Sequence, residues 1–211
     1  MSQEQATYPI VIKGELDESL SQGLWLVKWF LAIPHYIILA FLSVGFVIAW
    51  IIALFVILFT GKYPRSLFDF NVGVLRWSWR VGFYSYLALA TDKYPPFTLK
   101  SSDYPADLDV VYPEKLSQGL VLVKWWLLAI PHFLVVSFFM GSSSDSWFVV
   151  GPRYGGLVTL LAVISAVFVL FKRPYPKEIF EFIMGMNRWS YRVFAYVALM
   201  TDEYPPFRIK D

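Results

Sequence analysis

Cysteine is absent from the 211 residues. Its absence excludes a disulfide framework, Cys-ligated zinc, iron–sulfur clusters and thiol catalysis. Charge is scarce: Asp, Glu, Lys and Arg make up 16% of the chain, against about 25% in an ordinary soluble domain. Histidine occurs twice, and the net charge of +2 is too small and too evenly mixed to point to nucleic acid. No Gly-x-x-x-x-Gly-Lys-Ser/Thr or Gly-x-Gly-x-x-Gly run exists, so nucleotide binding has no support. Apolar residues fill the space instead, at 57%, with 19% aromatic and a mean hydropathy of +0.54. That composition excludes disorder and is shifted towards membrane proteins.

The chain repeats itself. Leu20-Ser21-Gln22-Gly23-Leu24 recurs as Leu116-Ser117-Gln118-Gly119-Leu120, and Val27-Lys28-Trp29 as Val123-Lys124-Trp125. Ala32-Ile33-Pro34-His35 recurs as Ala129-Ile130-Pro131-His132, and Arg76-Trp77-Ser78-Trp79-Arg80-Val81 as Arg188-Trp189-Ser190-Tyr191-Arg192-Val193. The copies close alike, on Thr91-Asp92-Lys93-Tyr94-Pro95-Pro96-Phe97 and Thr201-Asp202-Glu203-Tyr204-Pro205-Pro206-Phe207. A period of about half the chain is a duplication and not a solenoid. Residues 1–100 form copy one and residues 101–211 copy two.

At the Pro-His pair, the Arg-Trp-x-x-Arg-Val run and the Thr-Asp-x-Tyr-Pro-Pro-Phe ending, the chain resembles the DUF4389 family of bacterial and archaeal membrane proteins. The resemblance covers nearly the whole chain, twice. It implies an integral membrane protein and brings no established activity.

A membrane-spanning helix needs about 20 largely apolar residues. Residues 20–42 fit, interrupted by Lys28 and His35. Residues 45–59 are wholly apolar but short, and Ser43-Val44-Gly45 reads as the turn between two spans. In copy two, residues 116–140 and 157–171 are apolar runs separated by a polar, Gly-rich break. The expectation is two spans per copy, four in all; the rival is one long span per copy after an interfacial helix ending at Pro34. The N-terminal residues are polar and show no cleavable signal. Lys62, Arg65, Lys172, Arg173 and Lys177 follow the second span of a copy, whereas the outer loops hold one basic residue, Arg153. The positive-inside rule then places both termini in the cytoplasm of a multi-pass protein of the cell (inner) membrane. The copies are expected to share one orientation, about an axis along the membrane normal.

Residues 66–91 are aromatic-rich but carry Asp69, Arg76 and Arg80. With Gly73 these share one helical face, repeated as Glu181, Gly185, Arg188 and Arg192. The pattern reads as an amphipathic helix in the interface, its apolar face in the acyl region. The plain account pairs each acid with its own arginine on a solvated face; the sharper one has Arg76, Arg80, Arg188 and Arg192 holding lipid headgroup phosphates. Tyr-Pro-Pro then stops the helix. Short β-like runs at residues 10–13, 97–100, 108–111 and 207–210 predict one small cytoplasmic sheet shared by the copies. The fold class is thus mostly α and integral to the membrane: a duplicated unit of two transmembrane helices and an interfacial helix, with short strands.

His35 and His132 each follow a proline in an apolar run. Two imidazoles brought together offer ligands for haem or a metal, or a proton relay; otherwise each ring bonds a carbonyl freed by the proline. Lys28 and Lys124 read as interface anchors, snorkelling beside tryptophans. Ser142-Ser143-Ser144-Asp145 is a polar loop with no histidine base at hand. No catalytic residue, metal site or cofactor is assigned. The favoured reading is a non-enzymatic accessory or scaffold subunit, or a lipid-interacting module, whose partners are the bilayer and other membrane subunits or itself. A small transporter or channel-like protein, and a bis-histidine haem- or quinone-binding electron-transfer subunit, are the alternatives.

Overall fold

The computed structural model describes residues 8–141 and 154–209. Residues 1–7, the Ser142–Asp145 and Arg153 portion of the expected outer loop, and Lys210 lie outside that set. In chain order the elements are β1 (Ile10–Gly14), a 3-10 turn (Leu24–Leu26), α1 (Lys28–Leu31), α2 (Ile33–Thr60) and α3 (Arg65–Tyr84). Copy two follows with β2 (Ala106–Val110), α4 (Leu120–Val123), α5 (Ile130–Met140), α6 (Leu157–Leu170) and α7 (Lys177–Val197).

Copy one departs from the expected pair of spans. α2 runs unbroken for 28 residues and is long and apolar enough, by length and composition, to cross a membrane. It starts with Pro34 in its first turn, where proline lacks only a donor that would be orphaned anyway. It stops at Gly61, whose φ of 68° closes the helix in the left-handed region that suits glycine. Ser43-Val44-Gly45 makes no turn. The Ser43 hydroxyl donates back to the Leu39 carbonyl at 2.7 Å, a bond that lets serine sit within a helix. Gly45 serves a close approach, because a Cβ there would come within 3.2 Å of the Phe70 ring of α3.

Copy two divides the same helix. The His–Trp pair is separated by 42 positions in copy one and by 57 in copy two, and the segment between Gly141 and Gly156 accounts for the excess. Its two ends meet, since a Cβ on Gly141 would lie 2.9 Å from the Gly156 nitrogen. α5 and α6 together pack on α7 as α2 packs on α3. They are one helix position with an insertion at its middle.

Among the described residues two strands form, not four. β1 and β2 pair antiparallel with Ile12 opposite Leu108. The shift that maps Leu20 onto Leu116 also maps Ile12 onto Leu108, so equivalent residues meet and a pseudo-two-fold axis passes between them, perpendicular to the ribbon. The copies do share this ribbon. Its inward residues Ile10, Ile12, Ala106, Leu108 and Val110 are buried, while Val11 and Asp109 are exposed.

Three layers result: α2 with α5–α6, then α3 with α7, then the ribbon. The long helices run opposite ways. Gly61, at the end of α2, accepts the Leu116 N–H at 2.8 Å, and Trp50 packs edge-on against Trp125 at 5.6 Å. Reciprocally, Ala166 and Val169 of α6 line a cleft with Leu20, Trp25 and Lys28. Each long helix therefore ends against the segment that leads into the other, and the axis lies perpendicular to both.

α3 is not an interfacial helix with an apolar face to spare. Beyond its first turn it is buried on nearly every side, with exposed residues only at Arg65, Ser66 and Asp69. Its apolar surface is used by α2 and α7 and its polar stripe by the ribbon and the segment after Tyr-Pro-Pro.

Candidate membrane-facing surface and the anchors behind it

The outer layer shows apolar side chains to the outside. On α2, Ile37, Phe41, Val44, Ile48, Ile52, Phe55 and Phe59 are exposed, Phe41 at 76% and Phe59 at 77%. Spacings of three and four put them on one face along the whole helix. Leu134 and Phe138 of α5 and Leu160, Ile164 and Phe168 of α6 repeat the stripe in copy two. Trp29, Phe30, Trp126 and Leu127, just ahead of the long helices, are exposed as well.

The lysines between these aromatic residues point the other way. Lys28 and Lys124 do not snorkel outward; their residues are 1% and 0% exposed. Lys28 Nζ donates to the Thr91 carbonyl at 2.7 Å and pairs with Asp92 at 3.0 Å. Lys124 Nζ donates to the Thr201 carbonyl at 2.9 Å and pairs with Asp202 at 2.7 Å. Asp92 also accepts the Ser21 N–H, and Asp202 that of Ser117. Burial pushes the Asp92 carboxyl up, but the Ser21 bonds and the Lys28 ammonium outweigh it and leave its pKa below the ordinary value. The Ser-Gln, Val-Lys-Trp and Thr-Asp motifs are thus parts of one clamp, made twice.

The histidines sit in a second repeated construction. His35 Nδ1 accepts the Trp77 Nε1–H at 3.0 Å, so the proton of the neutral ring is on Nε2. Phe97 stacks on the imidazole with centroids 4.0 Å apart, and Tyr94 lies at 4.9 Å with its hydroxyl bonded to the Leu31 carbonyl. In copy two, His132 accepts from Trp189 at 3.1 Å, with Phe207 stacked at 4.2 Å and Tyr204 at 4.8 Å. The proline-freed carbonyl is not the partner, because each proline opens its helix and frees no carbonyl. The two histidines are not brought together: each is enclosed, fully buried, in the aromatic box of its own copy. Among the described residues no group of three or more His, Asp or Glu side chains is placed to hold a metal.

Arg76 and Arg80 are also turned inward and meet neither Asp69 nor open headgroup space. Asp69 pairs at the surface with Arg65 at 3.0 Å. Arg76 donates to the carbonyls of Leu108 (2.7 Å) and Leu99 (3.0 Å) and to Asp109 (3.0 Å). Arg80 Nη2 donates to the Lys100 carbonyl at 2.8 Å and to Asp107 at 3.0 Å. Burial lowers the Arg80 pKa, against the opposing pull of Asp107. Gly73 completes the stripe by letting Leu99 lie close, since a Cβ there would come within 2.8 Å of it. Residues 97–100 form no strand because their carbonyls are taken by these guanidinium groups. In copy two Arg192 is 4% exposed with its guanidinium 5.6 Å from the Tyr8 ring centre, and Arg188 is half-buried. The Asp107 and Asp109 positions correspond to Val11 and Lys13 in copy one, so the two stripes are not electrostatic copies.

These motifs lie far apart along the chain and meet only in space; their recurrence together in both copies is the sequence signal that joins them.

A family model described as a domain of unknown function, DUF4389, matches residues 21–98 and 146–208. The chain belongs to the DUF4389 family and carries its pattern twice. No curated protein matches the chain, and no solved structure does.

Proposed function

We propose that this DUF4389 chain is a non-enzymatic membrane module, embedded through the α2 and α5–α6 layer, that serves as a scaffold or accessory subunit for other membrane proteins. The exposed stripe on α2 carries the reading. Water-soluble monomers rarely leave contiguous apolar patches larger than a few hundred Å², and this stripe runs the length of a 28-residue helix. Each residue of the stripe is aliphatic or aromatic, and Lys28 and Lys124, ahead of the long helices, face inward, which suits acyl chains as the neighbour. The repeated clamps and boxes draw their hydrogen-bond partners from the chain itself; they read as structural supports for that layer. The cytoplasm is the proposed side for both termini, on the basic residues at 62, 65, 172, 173 and 177.

Fractionation tests the reading. The protein should stay with membranes through an alkaline carbonate wash. Combined Phe41→Glu, Ile48→Glu and Phe55→Glu substitutions should move it to the supernatant, because charges on that face oppose burial in lipid. Wild-type protein recovered as a monodisperse species in detergent-free buffer would overturn the proposal.

A further inference from the structure

We infer, resting on the membrane reading above, that the chain sits in a single leaflet, with its pseudo-two-fold axis along the membrane normal and both long helices lying along the membrane plane. The occupant of the apolar face is the acyl region of that leaflet.

Symmetry leads to this placement. The axis passes between Ile12 and Leu108 and is perpendicular to α2 and to α5–α6. If α2 crossed the bilayer, the axis would lie in the membrane plane and the ribbon would sit at mid-depth. Exposed Asp109, with 73% of its side chain accessible, and exposed Lys13 would then face hydrocarbon at the costliest depth for a charge. With the axis along the normal, the same ribbon faces water and the apolar layer faces lipid.

The insertion points the same way. The chain leaves α5 at Gly141, after 11 helical residues, and resumes a helix of 14. At about 1.5 Å per residue that exit is near the middle of the combined helix. Residues 142–153 carry Asp145 and Arg153, charges unsuited to the centre of a bilayer.

Basic residues give a third, separate reason. Lys62 and Arg65 follow the end of α2, and Lys172 and Arg173 follow the end of α6; all four are exposed. The axis puts these two ends at opposite edges of the molecule. A crossing orientation would place one pair on each side of the membrane, against the cytoplasmic bias of Lys and Arg. A flat orientation places both on the same side. A second copy of the chain is a poorer cover for the face, because protein interfaces ring their apolar centre with hydrogen-bonding groups and this stripe is apolar from end to end.

The chain has no cysteine, so single cysteines report cleanly. Gln22→Cys and Ser66→Cys put exposed thiols near opposite ends of α2. Intact spheroplasts are treated with a membrane-impermeant maleimide before and after permeabilisation, and only membrane-fraction protein is scored. Both sites should stay unlabelled before permeabilisation and both should label after it. Labelling of one site from outside and the other only after permeabilisation would overturn the flat placement while leaving membrane residence intact. Loss of both variants and the wild type from the membrane fraction would overturn the membrane reading itself, and the flat placement with it.

Discussion

A lysine in an apolar run can turn outward or fold inward, and here it folds inward. Lys28 meets Asp92 and the Thr91 carbonyl with 1% of its side chain accessible. A buried pair broken on one side leaves an uncompensated charge, at a cost of about 3–5 kcal/mol. Lys28→Met should therefore lower the unfolding temperature sharply in detergent, whereas loss of an exposed snorkelling lysine would scarcely register; thermal melts followed by tryptophan fluorescence distinguish the two. The pair also sets an acid limit. The folded pKa of Asp92 lies below its unfolded value, which is about 3.9 for an aspartate. Its stabilisation is therefore complete above that value and is lost as pH falls through the folded pKa. Wild type should be more stable than Asp92→Asn at pH 6, and the gap should close below about pH 4; a gap independent of pH would mean that Asp92 acts through shape and not charge. The histidine box makes a different demand. Trp77→Phe keeps the ring but strands the buried His35 Nδ1, at about 1–3 kcal/mol. Adding His35→Leu to Trp77→Phe should cost less than the two single changes combined, as expected when partners are removed together.

At the scale of elements, the duplication, the helical class and the ribbon's sharing between copies were legible in the sequence, whereas α3 ends at Tyr84, short of the expected stop at Tyr-Pro-Pro. The long helix was legible only as the rival reading of one long span after Pro34, because Ser43 and Gly45 signal a turn when read locally, and only the Phe70 ring packed on Gly45 explains the glycine otherwise. The buried arginines were missed for a related reason: a stripe of charge at helical spacing looks the same whether water or backbone carbonyls receive it. Residues 97–100 alternate like a strand, yet their carbonyls go to Arg76 and Arg80. Copy two supplies the test of the helix reading. Removing residues 142–156 should fuse α5 and α6 and restore the copy-one spacing between His132 and Trp189. The shortened protein should keep its helix content by circular dichroism, with any fall in melting temperature limited to the loss of the Tyr154 contacts with Ser85 and Tyr36. A large loss of helix would mean that the insertion holds α5 and α6 in place instead of interrupting them.

For the whole molecule, the copies are alike in sequence but not independent in structure. β1 finds its only described strand partner in β2, across the boundary between copies. Trp50 of α2 donates to the Val197 carbonyl at 3.2 Å, Phe46 packs on Phe194 at 5.8 Å, and Tyr175 donates to the Ala88 carbonyl at 2.7 Å. Asn187 reaches the Leu87 carbonyl at 3.2 Å. A lone half would expose an unpaired strand edge, which favours mispairing, and would lose the inner layer formed by α3 against α7. The covalent link between halves, by contrast, passes through exposed Asp103, where backbone cleavage disturbs little packing. Residues 1–103 and 104–211 expressed separately should each fail to accumulate as folded protein. Produced together from two reading frames, they should co-purify through a tag on either half and melt within a few degrees of the intact chain. Stable accumulation of either half alone would show that a single copy is a complete folding unit and that the shared ribbon and cross-copy bonds are incidental to it.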